Sequence, residues 1–295
     1  MPPGEFDFID WIRSQQSPGG DVLLPAGDDL AVMRWRGEDL LLVGVDQVLD
    51  GVHFHSNLHT PRQIGRKVMN RNLSDCAAMA CLPAAAVATV ALPRNVGMEH
   101  AKELYRGMRE AGDAFQCPVV GGDTASWEGR LAMTVAILGR SAGIEPIRRS
   151  GARPGDAIYV TGPLGGSLLA RHMDFVPRIA EARKLAQSTH ISAMIDISDG
   201  LSRDLRHICR QSGVGAIIDA GRVPIHPDAM RMNDGRPALE HALHDGEDHE
   251  LLFTTADDPG LEYARIGLIT AEREILLHRD GTLTALEPRG WEHQL

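Results

Sequence analysis

The acidic residues of this 295-residue chain fall in places where carboxylates can do chemistry. Asp28 and Asp29 follow Gly27, Asp46 closes the apolar run 40–45, and Asp75 ends the run Asn72-Leu73-Ser74-Asp75. Asp123 follows Val119-Val120-Gly121-Gly122, Asp196 and Asp199 lie in Ile195-Asp196-Ile197-Ser198-Asp199-Gly200, and Glu247 and Asp248 precede the apolar stretch 251–254. Surface acids ordinarily scatter over exposed helix faces. These sit at the ends of apolar runs and beside glycines, where the backbone can approach a ligand and where α/β sites gather. Carboxylates brought together repel unless cations or protons neutralise them, so several at once point to more than one hard, oxygen-ligated metal ion. Any one of them alone has a plainer role as a helix cap or turn former. Taken jointly they are poorly explained that way.

The elements that must position these acids follow from periodicity. Apolar and polar residues alternate at helical spacing over 5–15, and longer helical patterns cover 61–79 and 98–115. Strand-like runs occupy 31–35, 40–45, 85–91, 119–120 and 131–138. Around 141–156 the chain becomes polar, basic and turn-rich, which marks a boundary. Beyond it come a strand at 157–161, a glycine-rich turn at 162–166, and helices at 167–173 and 178–187. A strand then runs into Asp196, followed by a helix at 201–212, a strand at 215–218, a helix-and-strand unit over 237–254 and a strand-rich tail. The expectation is an α/β (α+β) protein of two domains, residues 1–145 and 146–295, each with its own sheet.

Composition narrows the function. Hydrophobic residues make up 43% and charged residues 24%, a globular profile. No apolar run approaches the roughly 18 residues that span a bilayer. The first ten residues lack the basic region and apolar stretch of a signal peptide, so the expected compartment is the cytoplasm. Cys76, Cys81, Cys117 and Cys209 form no C-x-x-C pair and read as buried reduced thiols. The net charge of −10 argues against a nucleic-acid partner. It also means that a polyphosphate substrate would need divalent cations between itself and the protein. Lysine occurs only at Lys67, Lys102 and Lys184, none of them in a P-loop.

Several residues have two readings on sequence alone. His53 could be an ordinary packed histidine, Trp291 a core anchor, and Arg149 a turn residue in the basic linker. His241, His244 and His249 near Glu247 suggest zinc, but their spacing fits no zinc motif, and solvated histidines on a helix are the simpler reading.

The motifs carry a resemblance when taken in order. Gly27-Asp28-Asp29, Asp46 with Gly51-Val52-His53-Phe54, Asn72-Leu73-Ser74-Asp75, Gly121-Gly122-Asp123-Thr124, the run 149–156, Tyr159-Val160-Thr161-Gly162, Asp196 to Leu201, Gly246-Glu247-Asp248 and Glu250-Leu251-Leu252-Phe253 resemble the thiamine-monophosphate kinase family. That family sits in the aminoimidazole-ribotide-synthetase-like superfamily of ATP users, and the likeness runs from Gly4 to His293. It implies ATP-dependent phosphorylation of thiamine monophosphate to the diphosphate by direct, magnesium-assisted transfer, with no covalent catalytic residue. Asp29, Asp46, Asp75, Asp123 and Asp196 match magnesium ligands, with Asp199 a further metal-side acid. Tyr105, Gly122, Asp123, Arg149 and Ser198 match ATP contacts, and His53, Glu247 and Trp291 match positions around the thiamine phosphate. It also implies a homodimer whose N-terminal domains, which bind ATP and magnesium, join strands in a barrel.

The sequence departs from the family's pattern near the acceptor. Gly44 and Val45 stand where hydroxyl residues usually precede Asp46, Asp245 and His249 replace a glycine and a tyrosine, and the stretch 166–196 is short. Two other readings accompany the kinase: a superfamily relative that activates a different small molecule with ATP, and a non-catalytic ATP-binding homologue. Acceptor-stimulated ADP release separates them.

Overall fold

The computed structural model describes residues 5–94 and 96–292, so the motif ends Gly4 and His293 lie outside the described residues. Helix α1 (Glu5–Ser14) opens the chain. A six-stranded sheet then forms from β1 (Val22–Leu24), β2 (Ala31–Arg34), β3 (Leu40–Leu49), β4 (Leu82–Pro93), β5 (Val119–Trp127) and β6 (Ala132–Arg140), in the order β1-β2-β3-β6-β4-β5. Only β4 and β5 pair in parallel; the other neighbours are antiparallel.

The second sheet has seven strands: β7 (Ala157–Val160), β8 (Ala193–Asp196), β9 (Gly215–Asp219), β10 (Leu251–Thr255), β11 (Ala264–Thr270), β12 (Ile275–Arg279) and β13 (Thr282–Ala285). Their order is β13-β12-β9-β11-β7-β10-β8. The expected two-sheet α+β architecture is therefore what the chain forms.

Helices α2 (Pro61–Ala78) and α3 (Met98–Ala114) cover one face of the first sheet. Thr60 and Gln63 close a capping box at the start of α2, with Pro61 in the first turn. The two helices pack backbone to backbone: a Cβ at Gly65 would collide with the Leu104 carbonyl, and one at Gly107 with that of Arg62. α2 also touches β8 and α4 (Ile179–Ser188), so it lies between the sheets. One apolar core runs across this layer, joining Leu73, Met79 and Ile137 to Met194, Phe253 and Tyr263. A second core, with Ile195, Leu205, Ile218 and Leu252, lies on the far face of the second sheet. There α5 (Leu201–Ser212) packs with α7 (Ala238–His244), while α6 (Pro227–Arg231) packs against α7. Among the described residues no helix is long and apolar enough to cross a membrane.

Three local expectations change. β3 continues to Leu49 because its ladder with β6 runs on to Leu49 opposite Ala132, so Asp46 lies within the strand rather than at its end. β5 likewise extends through Gly121-Gly122-Asp123 to Trp127, paired throughout with β4. The segment 167–173 is two 3-10 turns, Ser167–Leu169 and Arg171–Met173, because left-handed Gly166 and an irregular Ala170 interrupt helical winding.

Candidate active site

Three separate segments deliver one carboxylate each to a common point. Asp29 comes from the loop before β2, Asp75 from the last turn of α2, and Asp196 from the end of β8. Each offers a carboxylate oxygen within 4.8 Å of the other two. Their charges are unevenly compensated. Arg149 meets Asp29 edge-on, with Nη2 to Oδ1 at 2.7 Å and Nε to Oδ2 at 3.1 Å, and its backbone N–H donates to Asp28. Burial nevertheless pushes the Asp29 carboxyl up to about 7, more than Arg149 pulls it down. Asp196 accepts from Ser74 Oγ at 2.5 Å and from His249 Nδ1 at 3.1 Å. Burial opposes its ionisation, but these hydrogen bonds and the imidazolium hold it below the usual carboxylate range.

Asp75 has the least support. Burial, then the charges of Asp46, Asp196 and Asp29, push its carboxyl well above the ordinary range. It also lies at the C-terminal end of α2, where the helix dipole disfavours an anion and no basic residue stands in the last turn. This donor set fits hard divalent cations: oxygen ligands only, close together, mostly desolvated and short of positive charge. Asp46 adjoins it, its Oδ2 held by Arg71 Nε at 2.8 Å. Gly44 sits two residues earlier on the same face of β3, and a Cβ there would strike the Leu30 side chain. Leu30 thus fills the space that a hydroxyl residue would need. Val45 points to the opposite, exposed face.

Beside this cluster lies a region of opposite character. Lys67, fully buried, donates to Glu247 Oε2 at 2.8 Å, and Arg71 Nη1 donates to Oε1 at 2.9 Å. His249 Nε2 stands 3.4 Å from the same Oε2. Burial works against ionisation of Glu247, yet Arg71 and Lys67 hold its pKa well below the usual range. The arrangement depends on backbone that non-glycine residues rarely adopt, since Glu247 and His249 have φ of 56° and 51°. The short stretch after Gly166 clamps this loop. His172 Nδ1 meets Lys67 Nζ at 2.8 Å, Phe175 stacks on His249 at 3.8 Å, Arg171 reaches Asp248 and Arg178 reaches Glu250. Burial and the Lys67 charge depress His172 to about 3, so it accepts from Lys67 as a neutral ring.

The remaining sequence candidates fall into three places. Tyr105, Gly122 and Asp123 line one cleft of about 420 Å³ at the β4–β5 edge. Asp123 is exposed there and belongs to neither group of close metal-ligand atoms among the described residues. The other such group is Asp199, Asp204 and His207, at the start of α5. Ser198 and Asp199 also contribute backbone carbonyls: Ser198 accepts from the Glu247 N–H at 2.8 Å and Asp199 from the Trp291 N–H at 3.1 Å. His53 and Trp291 come together, with ring centroids 6.5 Å apart.

The solvated-histidine reading needs correction. His241 and His249 are buried, because each is paired with carboxylates: His241 with Asp245, and His249 with Asp196 and Glu247. His244 bonds Ser202, so the three histidines share no centre. The four cysteines are free and buried, as expected.

Sequence reading missed Lys67, Arg71, Ser74, Asp204 and His172. A signal for the first two was present, since Lys67, Arg71 and Asp75 repeat at i, i+4, i+8 and so share one face of α2.

Comparison with known proteins shows the family. Residues 27–141 match the AIR synthase related protein N-terminal domain, and residues 153–278 its C-terminal domain. A thiamine-monophosphate kinase of Rhodopirellula baltica is 41% identical over 263 residues, covering 86% of this chain and 83% of that protein. One from Salmonella typhimurium is 32% identical over 99% of both chains. A solved structure described as AaThiL complexed with AMPPCP and TMP superposes with a TM-score of 0.86 at 30% identity, covering 98% of this chain and 97% of that one.

Proposed function

We propose that this chain, which belongs to the thiamine-monophosphate kinase family of AIR synthase related proteins, transfers the γ-phosphoryl group of ATP to thiamine monophosphate. The observation that carries the reading is the meeting of Asp29, Asp75 and Asp196 from three segments with too little positive charge among them. Transfer between two anions is limited by charge and alignment rather than by bond activation. An oxygen of the acceptor phosphate forms a bond to the γ-phosphorus as the bond to the β–γ bridging oxygen breaks, and ADP leaves with that electron pair. The acceptor oxygen is largely ionised near neutral pH, so no strong base is required.

Magnesium held by Asp29, Asp75 and Asp196, with Asp46 and Asp199 alongside, would neutralise phosphate charge. Arg149 and the Ser198 segment would face ATP, whose base would enter the cleft of Tyr105, Gly122 and Asp123. In this reading Asp123 completes the metal set from the phosphate end of that cleft. His53, Glu247 and Trp291 would surround the thiamine rings. The division at residues 145/146 separates the nucleotide-binding and dimerisation part from the C-terminal part.

A homodimer in the cytoplasm completes the reading. Its support is the open face of the first sheet, where Val45, Ala136 and Val87 form one cross-strand row and Val45, Val87, Val120 and Leu138 are exposed. Such a patch is costly to leave in water. The deciding assay is coupled ADP release with ATP and magnesium. The expected result is strong stimulation by thiamine monophosphate; a rate equal to the no-acceptor control would overturn the assignment.

A further inference from the structure

Arg71 links the two halves of the site. Its Nε donates to Asp46 Oδ2 at 2.8 Å and its Nη1 to Glu247 Oε1 at 2.9 Å, while Nη2 bonds to neither. Asp46 adjoins the acid cluster, and Glu247 belongs to the acceptor side. The guanidinium therefore bridges the metal-side acids and the acceptor side of the kinase reading. Glu247 does not need it for neutrality, because Lys67 and His249 already face Oε2. A cation bound at Asp46 would draw that carboxylate away and leave Lys67 and Arg71 around Glu247, with His249 shared between Glu247 and Asp196.

A bridge kept only for stability explains this poorly, since buried ion pairs contribute little net stability compared with apolar packing. The other flank shows the same device. Arg149 holds Asp29 as Arg71 holds Asp46, so each side of the acid cluster carries an arginine on an aspartate. Arginine is suited to exchange a carboxylate for a phosphate, because its planar fork matches either one.

We propose that Arg71 is a phosphate-gripping residue for the acceptor. It rests on Asp46 and Glu247 until the metal claims Asp46, and then turns its free donors to the phosphate of thiamine monophosphate. The inference depends on the kinase reading above. It adds a cationic specificity determinant for the phosphorylated end of the acceptor.

The test is two-substrate kinetics on the wild-type protein, Arg71→Gln and Arg71→Lys, with unphosphorylated thiamine as a competitive inhibitor. For Arg71→Gln the KM for thiamine monophosphate should rise roughly tenfold or more, the scale of a lost charge-assisted contact. Arg71→Lys, which keeps the charge but loses the fork, should fall between. The KM for ATP and the inhibition constant for thiamine should stay within about twofold, because Glu247 keeps Lys67 and His249 and Arg149 still holds Asp29. An unchanged acceptor KM in both variants would overturn the proposal. So would equal losses for ATP, thiamine and thiamine monophosphate, the mark of a purely structural residue. A wild-type protein without acceptor-stimulated turnover would overturn the kinase reading first, and this inference with it.

Discussion

The acid cluster and the Glu247 region are neighbours built on one helix face, yet their electrostatics are opposite. Asp75 and Asp29 hold their protons above the ordinary carboxylate range because burial and mutual repulsion outweigh the single arginine nearby. Glu247 is equally enclosed but is held ionised by Lys67 and Arg71. Enclosure alone therefore does not decide the state of a carboxylate; the local cation count does. The first region is short of positive charge in the bare chain, and the second is balanced there.

The comparison breaks most easily at Asp75. Asp75→Asn should lower turnover by roughly a thousandfold, as expected when a preorganised electrostatic element is lost. In EDTA the variant should melt no lower than wild type, because the carboxylate removed was the least supported one. Magnesium at about 100 times its Kd should stabilise wild type by about 2.7 kcal/mol and the variant far less. Thermal melts with and without magnesium check this, and full activity in the variant would refute a shared cation site.

A smaller effect is expected on the saturated side. Glu247→Gln should destabilise the fold by about 3 kcal/mol even without magnesium, because it leaves buried Lys67 without its carboxylate. Urea unfolding measures it, and a neutral result would show that Lys67 and Arg71 find other partners.

The smallest effect is a pair of opposite pH slopes in EDTA. Asp29 has its pKa raised from 3.8 to about 7, so its contribution to stability is full below 3.8 and lost as pH rises through about 7. Glu247 is depressed below 4.5, so its contribution is present above 4.5 and lost as pH falls further. Urea midpoints measured from about pH 2 to 8 should therefore peak near about pH 4 and fall on either side. Asp29→Asn should flatten the alkaline side, and Glu247→Gln the acid side. Identical profiles for all three proteins would remove the contrast.

Much of this was legible in the sequence, and the omissions have physical causes. The long helices and both sheets follow from periodicity, and a gathering of acids from their places at element ends, whereas Asp29, Asp75 and Asp196 were singled out as ligands by the family resemblance. Asp46 and Asp123 were misplaced at strand ends because polar residues and glycines read as breaks, whereas ladder pairing carries both strands onward. Lys67 and Arg71 were passed over because charged residues on a helix are ordinarily solvated. Their burial depends on a loop about 176–180 residues away, which local pattern does not reveal.

The position of α2 between the sheets has a kinetic consequence. Lys67, Arg71 and Asp75 complete their sets of partners only when the C-terminal sheet has closed on the helix, since Asp196 and Glu247 lie far beyond α2 in the chain. Contacts of such sequence separation form late, after the loop-closure entropy has been met. During synthesis the first half can bury its own face of α2 while the charged stripe is still in water. The acid cluster and the Glu247 region are therefore each completed only when the two halves of the chain dock.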